Sequence, residues 1–131
     1  MKTKPILTQQ DCEKIQAAAR AEAVKNKWNV TIAIVDDGGY LLSLLRGDGA
    51  GPVTAEIAAR KAHAAAVSRR STKLSEERIA ARPALIKMPV LPVQGGVPIM
   101  HDGHCVGGVG VSGVQSHEDE QVCNAGIAAL G

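Results

Sequence analysis

The sequence predicts an α+β fold, within the broad α/β class, in which helices cover an antiparallel sheet made of hairpins. Two segments, residues 30–46 and 97–112, each place turn residues between two apolar runs, which is the pattern of a β-hairpin. Helical patterns precede, separate and follow these hairpins. A chain of 131 residues is long enough to bury one core, so we expect a single domain spanning residues 1–131.

The first helix has a clear start. Thr8 is a predicted N-cap and Asp11, three residues later, completes a capping box. We expect this helix to end near Lys27. One apolar stripe at spacings of three and four residues should face the core, and it consists of Cys12, Ile15, Ala19 and Ala23.

The first hairpin follows directly. Val30–Asp36 is apolar on both faces, which predicts a strand covered on both sides. Asp37-Gly38-Gly39 supplies turn residues, and Tyr40–Arg46 is the returning strand. Residues 47–52 are rich in glycine and are predicted to form a loop.

Two helices and a loop should fill the middle of the chain. Thr54 is the predicted cap of an alanine-rich helix that reaches about Arg70, and its bare face should press on a sheet. A short helix should start at Ser75 and stop before Pro83. Residues 83–96 contain prolines and glycines with few charges, so we expect an ordered loop at the rim of a pocket, with a short strand at 90–93.

The second hairpin leads into the last helix. Val97–His101 and His104–Ser112 flank Asp102-Gly103, a pair that tolerates the positive φ angles of a type I′ turn. Ser116 is the predicted N-cap of the final helix, with Asp119 as its capping-box partner.

The second strand of this hairpin is rich in glycine. Because strand glycines mark a close approach by a ligand or by another backbone, two interpretations stay open: a ligand floor, or tight packing against a helix or a neighbouring subunit. The G-x-G-x-x-G match in this strand does not indicate a dinucleotide site, because no second parallel strand can follow it. The glycines are Gly107, Gly108, Gly110 and Gly113.

Few side chains point to chemistry by themselves. His101 and His104 should lie opposite each other across the turn, but no third ligand is visible, so no metal site is predicted and the two are only weak candidates. Glu120 lies in the first turn of the last helix, where acids complement the helix dipole; alternatively it serves as an acid/base group.

Composition excludes several function classes. The formal net charge is +2, aromatic residues are 2% of the chain, and Arg69-Arg70 with Lys73 is too short a basic run for a nucleic-acid surface. No apolar run is long enough to span a membrane. The three cysteines lack paired spacing and suit a reducing compartment, so we expect a cytoplasmic protein without nucleic-acid or membrane partners.

Several motifs together resemble the GlcG/HbpS-like family of haem-binding-like proteins, which is related to the C-terminal domain of PduO-type corrinoid adenosyltransferases. They cover nearly the whole chain in one order. The matching segments are residues 35–42 (VDDGGYLL), 46–50 (RGDGA), 58–62 (AARKA), 95–99 (GGVPI), 102–103 (DG), 106–113 (VGGVGVSG), 119–120 (DE) and 125–126 (AG).

The resemblance implies a profilin-like fold with a five-stranded antiparallel sheet and helices on both faces. It also implies a homo-oligomer, in the form of a ring built from dimers. The functions that it implies are haem binding or a role as a small protein encoded in a catabolic operon. Haem is one possible cofactor, although the first helix contains no histidine, which leaves His63, His101, His104 and His117 as imidazole ligands.

Carried over by position, the family's shared polar residues predict a site for a small carboxylated ligand. Arg46 and Lys61 would hold the carboxylate. The alternative for Arg46 is an ion pair with Asp48 that stabilises the loop. The resemblance places the shared residues at Asp36, Arg46, Asp48, Lys61, Gly95, Gly96 and Glu120, and the ligand-floor interpretation adds Gly108 and Gly110.

Three functions follow from these expectations. The first is a cytoplasmic oligomer that binds a small carboxylated molecule, with haem as one candidate. The second is a small hydrolase or tautomerase acting on an unstable carboxylated intermediate of a catabolic pathway, in which Arg46 and Lys61 bind the carboxylate and Glu120 or a histidine moves a proton. The third is a purely structural ring-forming protein.

Overall fold

The computed structural model describes residues 1–131. Four α-helices and four strands follow one another in this order: α1 Gln9–Lys25, β1 Thr31–Asp36, β2 Leu41–Arg46, α2 Val53–Ser68, α3 Thr72–Ala81, β3 Gly96–His101, β4 His104–Ser112 and α4 Ser116–Ala128. A 3₁₀ turn, Pro83–Lys87, follows α3. This arrangement confirms the α+β class. None of the helices combines the length and the apolar character that crossing a bilayer requires.

The sheet is antiparallel and has four strands in the order β2-β1-β4-β3. The prediction of five strands is therefore wrong: residues 90–93 form no strand, because Pro92 inside this segment and Pro89 before it cannot donate to a ladder. β2 and β3 are the two edges, and β1 and β4 lie between them.

Both hairpins form as predicted. Asp102 and Gly103 have φ angles of +48° and +77°, as a type I′ turn requires. His101 pairs with His104 in the β3–β4 register. The register of β1 with β2 shifts by one residue between Ile34 and Val35, so the edge strand carries a bulge.

Helices cover both faces of the sheet. On one face α1 and α4 pack over Ile32, Ile34, Val109 and Val111, and the α1 stripe Cys12, Ile15, Ala19 and Ala23 is buried there as predicted. On the other face α2 packs over Ala33 and Val35 through Ala58, Ala62 and Ala66.

From Gly108 to Val111, glycine and valine alternate along β4, because α2 lies closer to the sheet on one face than α1 and α4 do on the other. Val109 and Val111 fill the core below α1 and α4. A Cβ atom on Gly108 would lie 2.6 Å from the carbonyl oxygen of Ala62, and one on Gly110 would lie 2.1 Å from that of Ala58. The backbone of α2 therefore rests directly on the glycine side of β4.

Helix starts were predicted with mixed success. The capping box of Thr8 and Asp11 is present, with Asp11 N donating to Thr8 Oγ1 at 3.1 Å. Thr54 is not a cap: α2 starts one residue earlier, and the Thr54 hydroxyl hydrogen-bonds to Gly51 O and to the buried Thr31 hydroxyl. The short helix α3 starts at Thr72 rather than Ser75, although it ends before Pro83 as predicted.

The start of α4 was also misassigned. Gln115, not Ser116, is the N-cap, and Gln115 and Glu118 form the capping box. Asp119 therefore takes no part in the capping box. It follows Glu118, the residue that does, and its side chain is buried.

Candidate functional site

A half-open cavity of about 400 Å³ lies between the C-terminal end of α2, α3 and the proline-rich segment that follows. We call it the Arg70–Arg78 cavity. Its walls are mostly apolar, and no aspartate or glutamate lines it. The lining residues are Val67, Ser68, Arg70, Ser75, Arg78, Ile79, Leu85, Met88, Val90 and Pro92.

Local sequence explains why Arg70 and Arg78 both line this cavity. Arg69 ends α2 in a left-handed conformation with φ of +57°, so the chain turns and α3 starts three residues later. Ser75, Arg78 and Ile79 then share one helix face, since residues three and four apart are neighbours. The Arg70 side chain bonds only to the nearby Ser68 carbonyl, at 3.4 Å, and the Arg78 guanidinium has no partner in the chain.

The proline-rich segment lies at the rim of this cavity, as expected of an ordered loop at a pocket rim, but no glycine of β4 lines it. Leu85, Met88, Val90 and Pro92 contribute its outer wall. Neither Arg70 nor Arg78 is among the site residues predicted from the sequence, where Arg69-Arg70 was considered only as a basic run too short for a nucleic-acid surface. The available signal was the spacing of Ser75, Arg78 and Ile79, which becomes informative only once α3 is known to fold back on α2.

Lys61 lies in a buried ion pair rather than in a cavity. Its Nζ atom donates to Asp119 Oδ2 at 3.0 Å and to Val111 O at 3.1 Å. The side chains of Lys61 and Asp119 are 3% and 2% exposed. The other carboxylate oxygen of Asp119 accepts from Val114 N–H at 3.2 Å. This network ties α2 to the start of α4 through the end of β4.

Burial governs the acid–base behaviour of this region. Removal from water raises the pKa of Asp119, and the Lys61 ammonium and the Val114 N–H partly offset that rise. Burial also raises the pKa of the Cys123 thiol, whose sulfur lies 3.2 Å from Gly95 O, and that of Cys12 on α1. Both thiols are therefore protonated at neutral pH.

The glycines predicted to line a ligand site have packing roles. Gly95 has φ of +123°, and a Cβ atom there would lie 2.7 Å from Lys61 Nζ. Gly96 leaves no room either, since its Cβ would lie 2.3 Å from the carbonyl oxygen of Lys61. For Gly108 and Gly110, the backbone of α2 occupies the face that the ligand-floor interpretation left open. The packing interpretation therefore accounts for these glycines.

Arg46 lies apart from Lys61. It ends the edge strand β2 and is exposed, while Lys61 is buried and bonds to Val111 O of the interior strand β4 and to Asp119. Lys61 does not line the hollow that contains Arg46. The two cations therefore share no cavity, and this corrects the expectation that they hold the same carboxylate.

Arg46 and Asp48 do share a hollow of about 270 Å³ with Arg20 and Trp28. We call it the Arg46 hollow. Arg46 and Asp48 form none of the three ion pairs in the chain, so the interpretation as a structural ion pair is wrong. Arg20 and Trp28 were not singled out from the sequence, because they belong to α1 and the loop after it.

A third hollow, of about 640 Å³, lies between α1 and β2. Leu42, Leu44 and Leu45 form one wall, and Cys12 and Gln16 form part of the other. The Gln16 amide nitrogen donates to Ile32 O and to the Ser43 hydroxyl, while its oxygen is buried without a partner. No cationic side chain lines this groove.

The remaining predicted site residues are dispersed. Glu120 accepts a hydrogen bond from the Gln94 amide at 2.9 Å. Asp36 caps the β1–β2 turn by accepting from Gly38 N–H and Tyr40 N–H. The histidines are exposed and line none of the three cavities described above. No group of three or more His, Cys, Asp or Glu side chains is arranged to hold a metal ion.

Comparison with known proteins identifies the family. The family model described as haem degrading protein HbpS-like matches residues 7–128. The protein GlcG of Escherichia coli K12 is 49% identical over 114 residues, which are 86% of this chain and 85% of GlcG. A protein of Citrobacter freundii described as an uncharacterized 15.0 kDa protein in the dhaT-dhaS intergenic region is 26% identical over 121 residues, covering 88% of this chain and 85% of that protein.

Solved structures agree with this assignment. A double mutant of Streptomyces reticuli HbpS superposes with a TM-score of 0.93 at 38% identity, covering all of this chain (100%) and 91% of HbpS. The complex of PduOC with haem gives a TM-score of 0.86 at 25% identity and covers 95% of each chain. The chain therefore belongs to the HbpS-like family, whose description is haem degradation.

Proposed function

We propose that this protein binds a carboxylate-bearing apolar molecule, of which haem is the first candidate, in the Arg70–Arg78 cavity. The observation that carries the proposal is the pairing of two guanidinium groups with apolar walls and no acidic residue. A guanidinium presents planar donors that match a carboxylate. A cavity of about 400 Å³ lies in the size range of small-molecule sites, about 300–1,000 Å³.

The residues of the cavity fit the chemistry of haem. Arg70 and Arg78 would pair with its two carboxylates, and the apolar wall, with Val67, Ile79 and Leu85, would contact the ring. Met88 is the only lining residue of a type that serves as an axial ligand to haem iron, through its thioether. Haem, when bound, supplies an iron centre whose reactivity depends on the axial ligand and on the polarity around it.

The relatives support this choice of ligand. The family model carries the description haem degrading protein, and one of the superposed structures is a complex with haem. No comparison supports the alternative of a hydrolase or tautomerase. One of its two predicted proton carriers, Glu120, is hydrogen-bonded to Gln94, the histidines line none of the cavities, and Lys61 is paired with Asp119.

Titration of the protein with haemin, followed by its absorbance, tests the proposal. We expect a saturable spectral change with the wild type and a binding constant weakened by about tenfold or more in Arg78→Gln, because a hydrogen bond to a charged group contributes about 1.5–3 kcal/mol. Arg60→Gln is the matched control, since Arg60 is exposed on α2 outside the cavity. Equal affinities in all three proteins contradict the assignment of the site.

The axial ligand is tested separately. If the Met88 thioether ligates the iron, Met88→Leu changes the visible spectrum of the bound haem while carboxylate recognition persists. An unchanged spectrum would assign the iron to another ligand and leave the cavity assignment intact.

The protein is also proposed to assemble into a homo-oligomer. The edge strand β2 and the residue before it expose apolar side chains, with Tyr40 77%, Leu41 55% and Leu45 47% exposed. Exposed apolar patches on an unpaired edge are typical of protein interfaces. Light scattering should give a mass that is a multiple of 13.6 kDa, and a monomer for the wild type would contradict this proposal. A cytoplasmic location and a link to catabolic operons stay predictions.

A further inference from the structure

The Arg46 hollow combines groups that the proposed haem site does not use. Arg20 comes from the exposed face of α1, Trp28 from the loop after that helix, and Arg46 and Asp48 from the end of β2 and the turn that follows. The two guanidinium groups and the Asp48 carboxylate form no hydrogen bond or ion pair within the chain. Their donors and acceptors are therefore available to a ligand.

The backbone around the hollow holds these groups in place. Trp28 N–H donates to Ala23 O at 2.9 Å, and the half-buried indole packs against the core below α1. Gly47 N–H donates to Val30 O at 3.0 Å, which fixes the end of β2 beside that tryptophan. Gly49 lies against the Asn29 side chain, where a Cβ atom would come within 2.6 Å. The hollow is thus formed by ordered backbone on both sides.

Charge and size define what this hollow accepts. Two guanidinium groups and one carboxylate leave one net positive charge, which favours a monoanion. A volume of about 270 Å³ is below the usual range for drug-sized ligands, about 300–1,000 Å³, and is smaller than the Arg70–Arg78 cavity. The indole offers a flat wall on which a planar ring can stack. The Asp48 carboxylate accepts a hydrogen bond and so favours a ligand that carries a donor.

We propose that the Arg46 hollow is a second ligand site, for a small planar monocarboxylate that carries a hydroxyl donor. The ligand carboxylate pairs with Arg20 and Arg46, its ring stacks on Trp28, and its hydroxyl donates to Asp48. The site is independent of the haem proposal, since it shares no residue with the Arg70–Arg78 cavity.

Isothermal titration calorimetry with matched probes tests the site. The probes are 4-hydroxybenzoate, 4-methoxybenzoate, which lacks the donor, and 4-hydroxybenzamide, which lacks the charge. We expect the wild type to bind 4-hydroxybenzoate at least about tenfold more tightly than the amide, because the guanidinium groups bind a carboxylate through charged hydrogen bonds. Equal binding of these two probes, or no binding of any probe, overturns the proposal.

Variants separate the contributions of the lining residues. Arg46→Gln and Arg20→Gln should each weaken 4-hydroxybenzoate binding by about tenfold, whereas the exposed control Arg60→Gln should leave it unchanged. Asp48→Asn should reduce the preference for hydroxybenzoate over methoxybenzoate. Unchanged affinity in Arg46→Gln overturns the site.

The two sites are distinguished in the same experiment. Arg78→Gln should leave 4-hydroxybenzoate binding intact, and Arg46→Gln should leave haemin binding intact. If Arg78→Gln abolishes binding of 4-hydroxybenzoate, that probe occupies the larger cavity and the second site is refuted, whatever the fate of haem binding.

Discussion

The buried pair of Lys61 and Asp119 makes the sharpest prediction about stability. Replacing Lys61 by methionine keeps the volume but leaves the Asp119 carboxylate, 2% exposed, without its counter-charge. Removing one partner of a buried ion pair costs about 3–5 kcal/mol. For a chain of this size about 1 kcal/mol corresponds to roughly 3–5 °C in Tm, so Lys61→Met should melt about 10–25 °C lower.

The pH dependence of this loss gives a second readout. Burial raises the pKa of Asp119 in the folded state, so its contribution to stability is present at low pH and is lost as pH rises through the folded-state pKa. Lys61 lowers that pKa, and its removal raises it further. The deficit of Lys61→Met relative to wild type should therefore be largest near neutral pH and should shrink towards about pH 5.

Urea unfolding, followed by circular dichroism between pH 5 and pH 8, is the assay. The control is Arg60→Met, one residue earlier on the exposed face of α2, which should change stability by no more than about 0.5 kcal/mol. The double variant Lys61→Met/Asp119→Leu should recover only part of the loss, because Val114 N–H and Val111 O lose their partners. A deficit below about 1 kcal/mol, or one independent of pH, would refute this reasoning.

Three further outcomes follow from packing and burial. Gly110→Ala should destabilise the fold by about 3 kcal/mol or more, because its Cβ would meet the α2 backbone at 2.1 Å; Gly51→Ala, with no atom within 4 Å, should be nearly neutral in the same melting experiment. Thr8→Ala should lose about 1 kcal/mol of stability through the N-cap of α1, whereas the exposed Thr3→Ala should not. A thiol reagent should modify the partly exposed Cys105 in the native protein and the two buried cysteines only after unfolding; immediate reaction of all three would contradict the burial.

Local signals in the sequence were sufficient for most of the architecture. The Asp102-Gly103 turn, the Thr8 capping box and the apolar stripe of α1 depend on neighbouring residues, and all three are present. The glycines of β4 predicted a close approach by another group, but the sequence did not decide whether that group is a ligand, a helix or a neighbouring subunit. Ligand and helix both require bare backbone, and the fold places α2 there.

The site could be predicted only in part, because its groups come from elements distant in sequence. Arg46 and Asp48 line one hollow rather than forming the ion pair that was the alternative, and Arg20 and Trp28 line it from the first helix and its loop. Lys61 was interpreted as a free cation because its partner, Asp119, lies 58 residues away and had been assigned to a helix cap. Both the composition of the Arg46 hollow and the pairing of Lys61 with Asp119 therefore depend on contacts between residues that are distant in sequence.

The most direct measurement of the central claim compares the affinities for haemin and for its dimethyl ester, in which both carboxylates are blocked. If Arg70 and Arg78 bind the haem carboxylates, the wild type should bind haemin at least about tenfold more tightly than the ester. This preference should disappear in the Arg70→Gln/Arg78→Gln variant. A wild type that binds both compounds equally, or a double variant that retains the full preference, would contradict the assignment of this cavity.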